Sequence, residues 1–401
     1  MHSLDDYIEI VGEKVIADLF RKARKLYGKH VLHINSTYQG GGVAVLLSSK
    51  IPLMNDLGVD AGWRILHGNP DFFSITKKFH NAILGQDINL SEIKKKLYIR
   101  TNEEFSKFTH IGHDIVVIHD PQPLPLIKFY KKTQPWLWRC HIDLTRPNPQ
   151  LWGFLKKFLI RYDMIVVSNE GYIREDLPVD WKVIYPAINP LAPKNMEISE
   201  KLIEKNLNKY GIPNDKPLIT QISRFDRLKD PEGVVEVFKL VRKEMDARLI
   251  LCGSAATDDP EGGMVYERIS RKARKLIENK DLILINVEND ILVNALQRKS
   301  SVIVQKSLME GFGLTVTEAL WKETPVVASK VGGIPLQIKD KVNGYLLGAN
   351  DHEGFADRIV YILNNPEQGR KMGRKGRETV KKNFLLTRLI SDYLDMFIEI
   401  L

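Results

Sequence analysis

The stretch Glu310-Gly311-Phe312-Gly313-Leu314-Thr315-Val316-Thr317-Glu318 holds two carboxylates with seven residues between them and two glycines inside. It follows an apolar run, Val302 to Gln305, and opens a helical pattern. Glycines let a backbone approach a ligand closely. A helix start offers unpaired N–H groups and the positive end of a dipole, which suits a phosphate. Glu318, about one turn into that helix, can take two hydrogen bonds from a ribose diol beside the phosphate. Glu310 stands in the loop. The plainer alternative is a helix capped by Thr315 or Thr317, with Glu318 only complementing the dipole. The paired glutamates favour the ligand site.

A second cluster, Ser223-Arg224-Phe225-Asp226-Arg227-Leu228-Lys229-Asp230-Pro231, leaves the apolar run Leu218 to Ile222. Asp230 and Pro231 form a helix start, Asp as cap and Pro in the first turn. Arg224 and Lys229 therefore fall in the loop at the sheet edge. A guanidinium fork and an ammonium point charge there suit a diphosphate leaving group. Read alone, they serve equally as surface salt-bridge partners. Gly40-Gly41-Gly42 lies between a strand and a helix and can cradle an oxyanion or act as a simple turn. His119-Asp120 and His141-Ile142-Asp143 end two further apolar runs, where they either orient sugar hydroxyls or serve as structural groups. No set of histidines, cysteines and carboxylates has metal-site spacing, so no metal is expected.

These residues need elements to hold them. Val31 to Ile34, Ile115 to Ile118, Leu137 to Ile142 and Met164 to Val167 read as buried strands in the first half. Leu218 to Ile222, Arg248 to Cys252, Leu282 to Ile285, Val302 to Gln305 and Val326 to Ala328 do so in the second. Helical patterns between them, such as Asn148 to Arg161 and Pro231 to Glu244, argue for parallel strands covered on both faces. Three prolines between Tyr185 and Pro193 interrupt the alternation and mark a linker. The tail from Pro366 to Leu401 is helical by pattern. The fold class is α/β, with two doubly wound, Rossmann-like domains expected to face each other across a cleft.

The chain has 401 residues, enough for two or three domains. Its composition, 43% hydrophobic and 27% charged, excludes fibrous and disordered classes. Fifty-nine Lys and Arg against fifty Asp and Glu leave a net charge of +9, which asks for an anionic partner. The basic runs at residues 21–25, 94–96 and 271–275 are dispersed, have acidic neighbours and read as solvated helix faces. Without interleaved aromatics they give no nucleic-acid platform, so no nucleic-acid partner is expected. Cys140 and Cys252 read as buried free thiols in a reducing cytosol. No signal peptide or membrane span is read, and a cytoplasmic location is expected.

Glu310 to Glu318 resembles the E-x7-E signature of retaining glycosyltransferases of the GT-B fold, family GT4. Arg224, Lys229 and Gly40 to Gly42 match further elements of that family in the expected order. HGNPDFFSITKKFHNAILG from His67, HDPQPLPLI from His119 and PWLWRCHIDLTRPN from Pro135 are similar to the trehalose glycosyltransferring synthases. Asp230 stands where Gly is common in the family, and Leu308-Met309 where many relatives are polar or charged.

The resemblance implies residues 1–188 as an acceptor domain and residues 189–384 as a nucleotide-sugar donor domain. Residues 385–401 would be a helix crossing back to the first. It implies donor contacts from Gly41, Gly42, His141, Arg224, Lys229, Glu310, Gly311, Phe312, Gly313, Leu314, Thr315 and Glu318. Acceptor contacts would come from His80, Asn81, His119 and Asp120. Arg224, Lys229, Glu310 and Asp120 would serve catalysis. The reaction implied is retaining transfer from a nucleotide-diphosphate glucose to free glucose, giving α,α-trehalose. The acceptor would attack on the leaving-group side, and the diphosphate would take its proton. A different acceptor, as in a sucrose or sugar-phosphate synthase, is the alternative. No cofactor is expected, with Mg2+ as a rate enhancer only, and the enzyme is expected as a monomer or homodimer. The donor base stays open.

Overall fold

The computed structural model describes residues 2–38, 42–253 and 260–401. The chain forms two compact units, one from Met1–Ala187 with Leu386–Leu401 and one from Ile188–Leu385.

The first unit holds a six-stranded sheet of β1 (His30–Asn35), β2 (Asp60–Ile65), β3 (Ile115–His119), β4 (Trp136–Arg139), β5 (Met164–Val167) and β6 (Asp180–Val183). The spatial order is β2-β1-β3-β4-β5-β6 and every pairing is parallel. β3, β4 and β5 are buried along their whole length, as short runs of Val, Ile and Trp covered on both faces must be. The sequence predicts β4 to reach Ile142, but it ends at Arg139. Cys140 and Ile142 are buried apolar residues of the loop that carries His141 out of the sheet.

The second unit repeats the architecture with β7 (Leu218–Ile222), β8 (Arg248–Gly253), β9 (Leu282–Asn286), β10 (Val302–Gln305), β11 (Val326–Ser329) and β12 (Tyr345–Leu347). The order is β12-β11-β10-β7-β8-β9, again all parallel. Along β8 the two-residue period divides side chains between two cores. Leu249 and Leu251 join the cluster with Phe238 and Phe355, while Ile250 and Cys252 join the one with Leu292 and Leu296.

Both sheets reverse direction of winding once, between β1 and β3 and between β7 and β10. Ligands of open parallel sheets bind beyond the carboxyl ends of the strands at such a point.

The helical tail is two helices, Pro366–Asn383 and Leu386–Ile400, broken at Phe384 and Leu385. Ile188 N–H donates to Phe384 O at 2.9 Å just where the chain leaves the second unit. The last helix packs into the first unit. Leu389, Ile390, Tyr393, Leu394 and Phe397 are wholly buried, each large apolar side chain contributing about 1.5–3 kcal/mol. Arg388 donates to Tyr185 O at 2.7 Å, and Lys22 to Ser391 Oγ at 2.7 Å. Among the described residues no helix is long and apolar enough to cross a membrane.

Candidate active site

In the second unit the reversal point brings together the two loops singled out from the sequence. After β7 the chain makes a short turn, Arg227–Lys229, and Asp230 takes a left-handed conformation (φ 49°). Asp230 Oδ1 caps the helix Pro231–Val241 through Gly233 N–H at 3.0 Å, as its position before Pro231 predicts. The fully buried Lys306, which follows β10, pairs with the Asp230 carboxylate. Leu308 N–H donates to Leu228 O at 2.8 Å. The loops are thereby stitched along their length.

Glu310 sits at the centre of this junction. Its Oε2 lies 2.6 Å from Lys229 Nζ, 3.2 Å from Gln305 Nε2 and 3.3 Å from Ser307 Oγ. Arg224 is exposed, with Asp226 4.0 Å from its guanidinium, a distance too long to neutralise it fully.

The helix Leu314–Trp321 begins on Gly313 (φ 85°), a left-handed position that favours glycine. No side chain caps it, so neither Thr315 nor Thr317 takes the role of the plainer alternative. Thr317 Oγ1 instead donates to Gln337 Oε1 at 2.6 Å. Gln337 Nε2 donates to Phe312 O at 2.5 Å, which fixes the backbone of the glycine loop. Phe312 is buried and packs edge-on against Phe384, 5.6 Å between ring centres. Gly311, Leu314 and Thr315 stay partly exposed around the helix start. Glu318 is buried on this helix, 9% exposed. Its carboxylate is the chief influence raising the pKa of Lys194, a neighbour that carries no sequence signal. Lys322 Nζ reaches Glu318 O at 3.1 Å, Asn195 Oδ1 at 3.0 Å and Gln297 Oε1 at 2.7 Å, securing the helix.

In the first unit the ends of β3 and β4 converge. Asp120 is left-handed (φ 62°), and its Oδ1 accepts from His141 N–H at 2.9 Å. Burial pushes its pKa up to about 6, against the His141 N–H bond and the Arg139 guanidinium, which pull it down. His119 Nδ1 lies 3.0 Å from His141 Nε2, and His119 Nε2 lies 3.0 Å from His33 Nδ1. His119 is 1% exposed with both ring nitrogens engaged, which places it to orient His141. Burial lowers the pKa of all three histidines well below the usual range, which keeps them neutral.

His80 and Asn81 are partly exposed near the end of the helix Pro70–Ile83. That end meets the loop after β4, where Asn148 N–H donates to Ala82 O at 2.8 Å. Gly42 is exposed at the start of the helix Gly42–Asp56, while Gly40 and Gly41 lie outside the described residues. Cys140 and Cys252 are buried free thiols. Among the described residues no three His, Cys, Asp or Glu side chains are placed to hold a metal ion.

Sequence reasoning missed His33, Lys50 and Arg139 as parts of this polar cluster. Lys50 is the one cation of a largely apolar helix, which gives no hint that it is wholly buried.

Comparison with known proteins agrees with the geometry. The family described as "Trehalose synthase, N-terminal domain" matches residues 33–174, and "Glycosyl transferases group 1" matches residues 203–379. The trehalose synthase of Thermococcus litoralis is 43% identical, over 98% of this chain and 96% of that one. The trehalose synthase of Rubrobacter xylanophilus is 39% identical, over 100% and 97%. The sucrose-phosphate synthase of Thermosynechococcus elongatus superposes with a TM-score of 0.73 at 17% identity, over 92% of this chain and 98% of that one. Two parallel six-stranded sheets with this likeness are the fold of a GT-B glycosyltransferase. Within that class the chain belongs to the trehalose synthase family, and its chemistry is trehalose-related glycosyl transfer.

Proposed function

We propose that the enzyme transfers glucose, with retention, from a nucleotide-diphosphate glucose to free glucose, forming α,α-trehalose in a reversible reaction. The observation that carries this reading is the end-to-end likeness to relatives named trehalose synthase, at 39% and 43% identity.

The residues suit the chemistry. Cleaving the glycosyl–phosphate bond develops negative charge on the diphosphate. Arg224, Lys229 and the uncapped helix start after Gly313 supply fixed positive charge and N–H donors to meet it. Glu318 takes the ribose hydroxyls. Glu310 contacts donor hydroxyls and offsets positive charge on the sugar, which becomes oxocarbenium-like. Its Oε2 already holds three hydrogen bonds, which makes it a poor covalent nucleophile and favours attack from the leaving-group side. The diphosphate then takes the acceptor proton. His141 meets the donor glucose, while Asp120, with His80 and Asn81, receives the acceptor. The first unit thus binds the acceptor and the second the nucleotide. No metal is required, and Mg2+ acts only as a rate enhancer. The enzyme works in the cytoplasm as a monomer or homodimer, where the buried thiols Cys140 and Cys252 stay reduced.

The test is to supply UDP-, ADP- and GDP-glucose with free glucose and to identify products by NMR. Trehalose is expected with at least one donor. No trehalose with any donor overturns the reading, and product only with glucose 6-phosphate points to a sugar-phosphate synthase.

A further inference from the structure

The polar cluster behind His141 determines more than position. His33, His119 and His141 form a chain in which the Nδ1 of each ring faces the Nε2 of the next, at 3.0 Å in both links. A neutral imidazole has one N–H and one lone pair. Two proton arrangements therefore satisfy both links. In the first every ring carries its proton on Nδ1, and His33 Nε2 ends the chain as a lone pair. In the second every ring carries it on Nε2, and His33 Nε2 ends the chain as a donor.

The His33 end decides between them. His33 Nε2 is buried and has no hydrogen-bond partner among the described residues. In the second arrangement its N–H would be left without an acceptor, which a buried donor avoids. The charge nearby works in the same sense. Lys50 Nζ, fully buried, lies 3.6 Å from the centre of the Tyr393 ring, and that ring lies 6.2 Å from His33. Lys50 acts electrostatically on all three histidines. Arg139, on β4, acts electrostatically on His119 and His141, and its guanidinium is held by Val167 O at 2.8 Å and Ile184 O at 2.9 Å. Burial pulls the Lys50 ammonium down, and the Tyr393 face opposes that pull by attracting a cation. A cation beside His33 favours a lone pair at Nε2 over an N–H.

We infer that Lys50, acting through His33 and His119, fixes the proton of His141 on Nδ1, so that this partly exposed imidazole meets its sugar as a hydrogen-bond donor. Lys50 is then a positioning residue, two rings removed from the substrate. The sugar contact rests on the proposed function; the proton's location does not.

Enzyme labelled with 15N-histidine gives the protonated nitrogen of each ring by long-range 1H–15N correlation, with His141 assigned by the signal lost in His141→Gln. At neutral pH the unaltered enzyme is expected to show His141 protonated on Nδ1 and bare on Nε2. Lys50→Met is expected to move proton density to Nε2 and lower kcat about tenfold, with nucleoside diphosphate affinity unchanged. A proton on Nε2 of His141 in the unaltered enzyme overturns the inference, and this measurement needs no variant to fold. An unchanged His141 spectrum in folded Lys50→Met also overturns it. A shifted spectrum with full turnover overturns the sugar contact and so counts against the function assigned to His141, not against the chain.

Discussion

The Lys229 ammonium lies 2.6 Å from a carboxylate oxygen of Glu310, joining the loops after β7 and β10 by opposite charges. Both side chains are largely buried, 19% and 10% exposed, so the pair is better shielded from water than a surface salt bridge. On the proposed function, a diphosphate arriving at this point would compete with Glu310 for Lys229. In the proposed reaction the carboxylate would then be freed toward the sugar as the cation turns to the leaving group.

The competition has a kinetic signature. Lys229→Ala and Arg224→Ala should each lower kcat by roughly 10²–10³, the scale of losing one preorganised donor to developing charge. Glu310→Ala should lower it as well, and the Lys229→Ala/Glu310→Ala double variant should lose less than the sum of the two in free energy, because the residues share a contact. Steady-state kinetics on the four enzymes measure the coupling. Additive losses would mean that the pair acts as two separate groups.

Glu318→Ala should weaken nucleoside diphosphate binding by about 1–3 kcal/mol, the cost of leaving ribose donors unmatched. Calorimetry with ribo- and deoxyribonucleotides checks the cause. The unaltered enzyme should discriminate against a donor lacking a ribose hydroxyl, and Glu318→Ala should not.

Asp120 makes a pH-dependent prediction. Its pKa is raised by burial to about 6, so its ionised form is costly in the folded state. The stability this group confers is present below its ordinary range and is lost as pH rises to about 6. Asp120→Asn removes that cost, and asparagine tolerates the left-handed backbone at φ 62°. At pH 7 the variant should be more stable by about 1–2 kcal/mol in denaturant titration. Turnover should fall by roughly 10–10², the worth of one hydrogen bond from the acceptor sugar to a charged group. In the unaltered enzyme kcat/KM for glucose should rise with pH through about 6 as the carboxylate forms.

Metal removal should matter little if, as proposed, the cations meeting the diphosphate are Arg224 and Lys229. Activity should survive excess EDTA, and added Mg2+ should raise it only a few-fold. A collapse in EDTA that Mg2+ restores would show that Arg224 and Lys229 do not suffice.

How far the sequence reveals this molecule depends on which strand is read. Ile115–His119 and Val302–Gln305 are central, buried along their length and apolar up to a last polar residue, so their runs are plain. β2, β6 and β12 escape because each lies at a sheet edge and is mostly half-exposed. Asp60–Ile65 and Asp180–Val183 mix charged with aromatic residues, and Tyr345–Leu347 is only three residues long. The donor-side loops are legible because glycine, proline and charge at fixed offsets encode local turns. Lys50 and His33 escape for the opposite reason. Their meeting on the Tyr393 ring depends on residues more than three hundred positions apart, which no local pattern can express.

The return of Leu386–Ile400 to the first unit also governs the order of events on the ribosome. The first unit's residues up to Ala187 are made before Ile188–Leu385, yet the helix that brings Tyr393 to Lys50 and His33 is made after it. Synthesis of Ile188–Leu385 intervenes, a delay of about 10–40 s at typical elongation rates. The second unit, continuous in sequence, has all it needs to fold once that interval ends, while the first unit still waits for the helix that buries Leu389, Tyr393 and Phe397 against it. Of the two units, the one begun earlier is thus the one completed later.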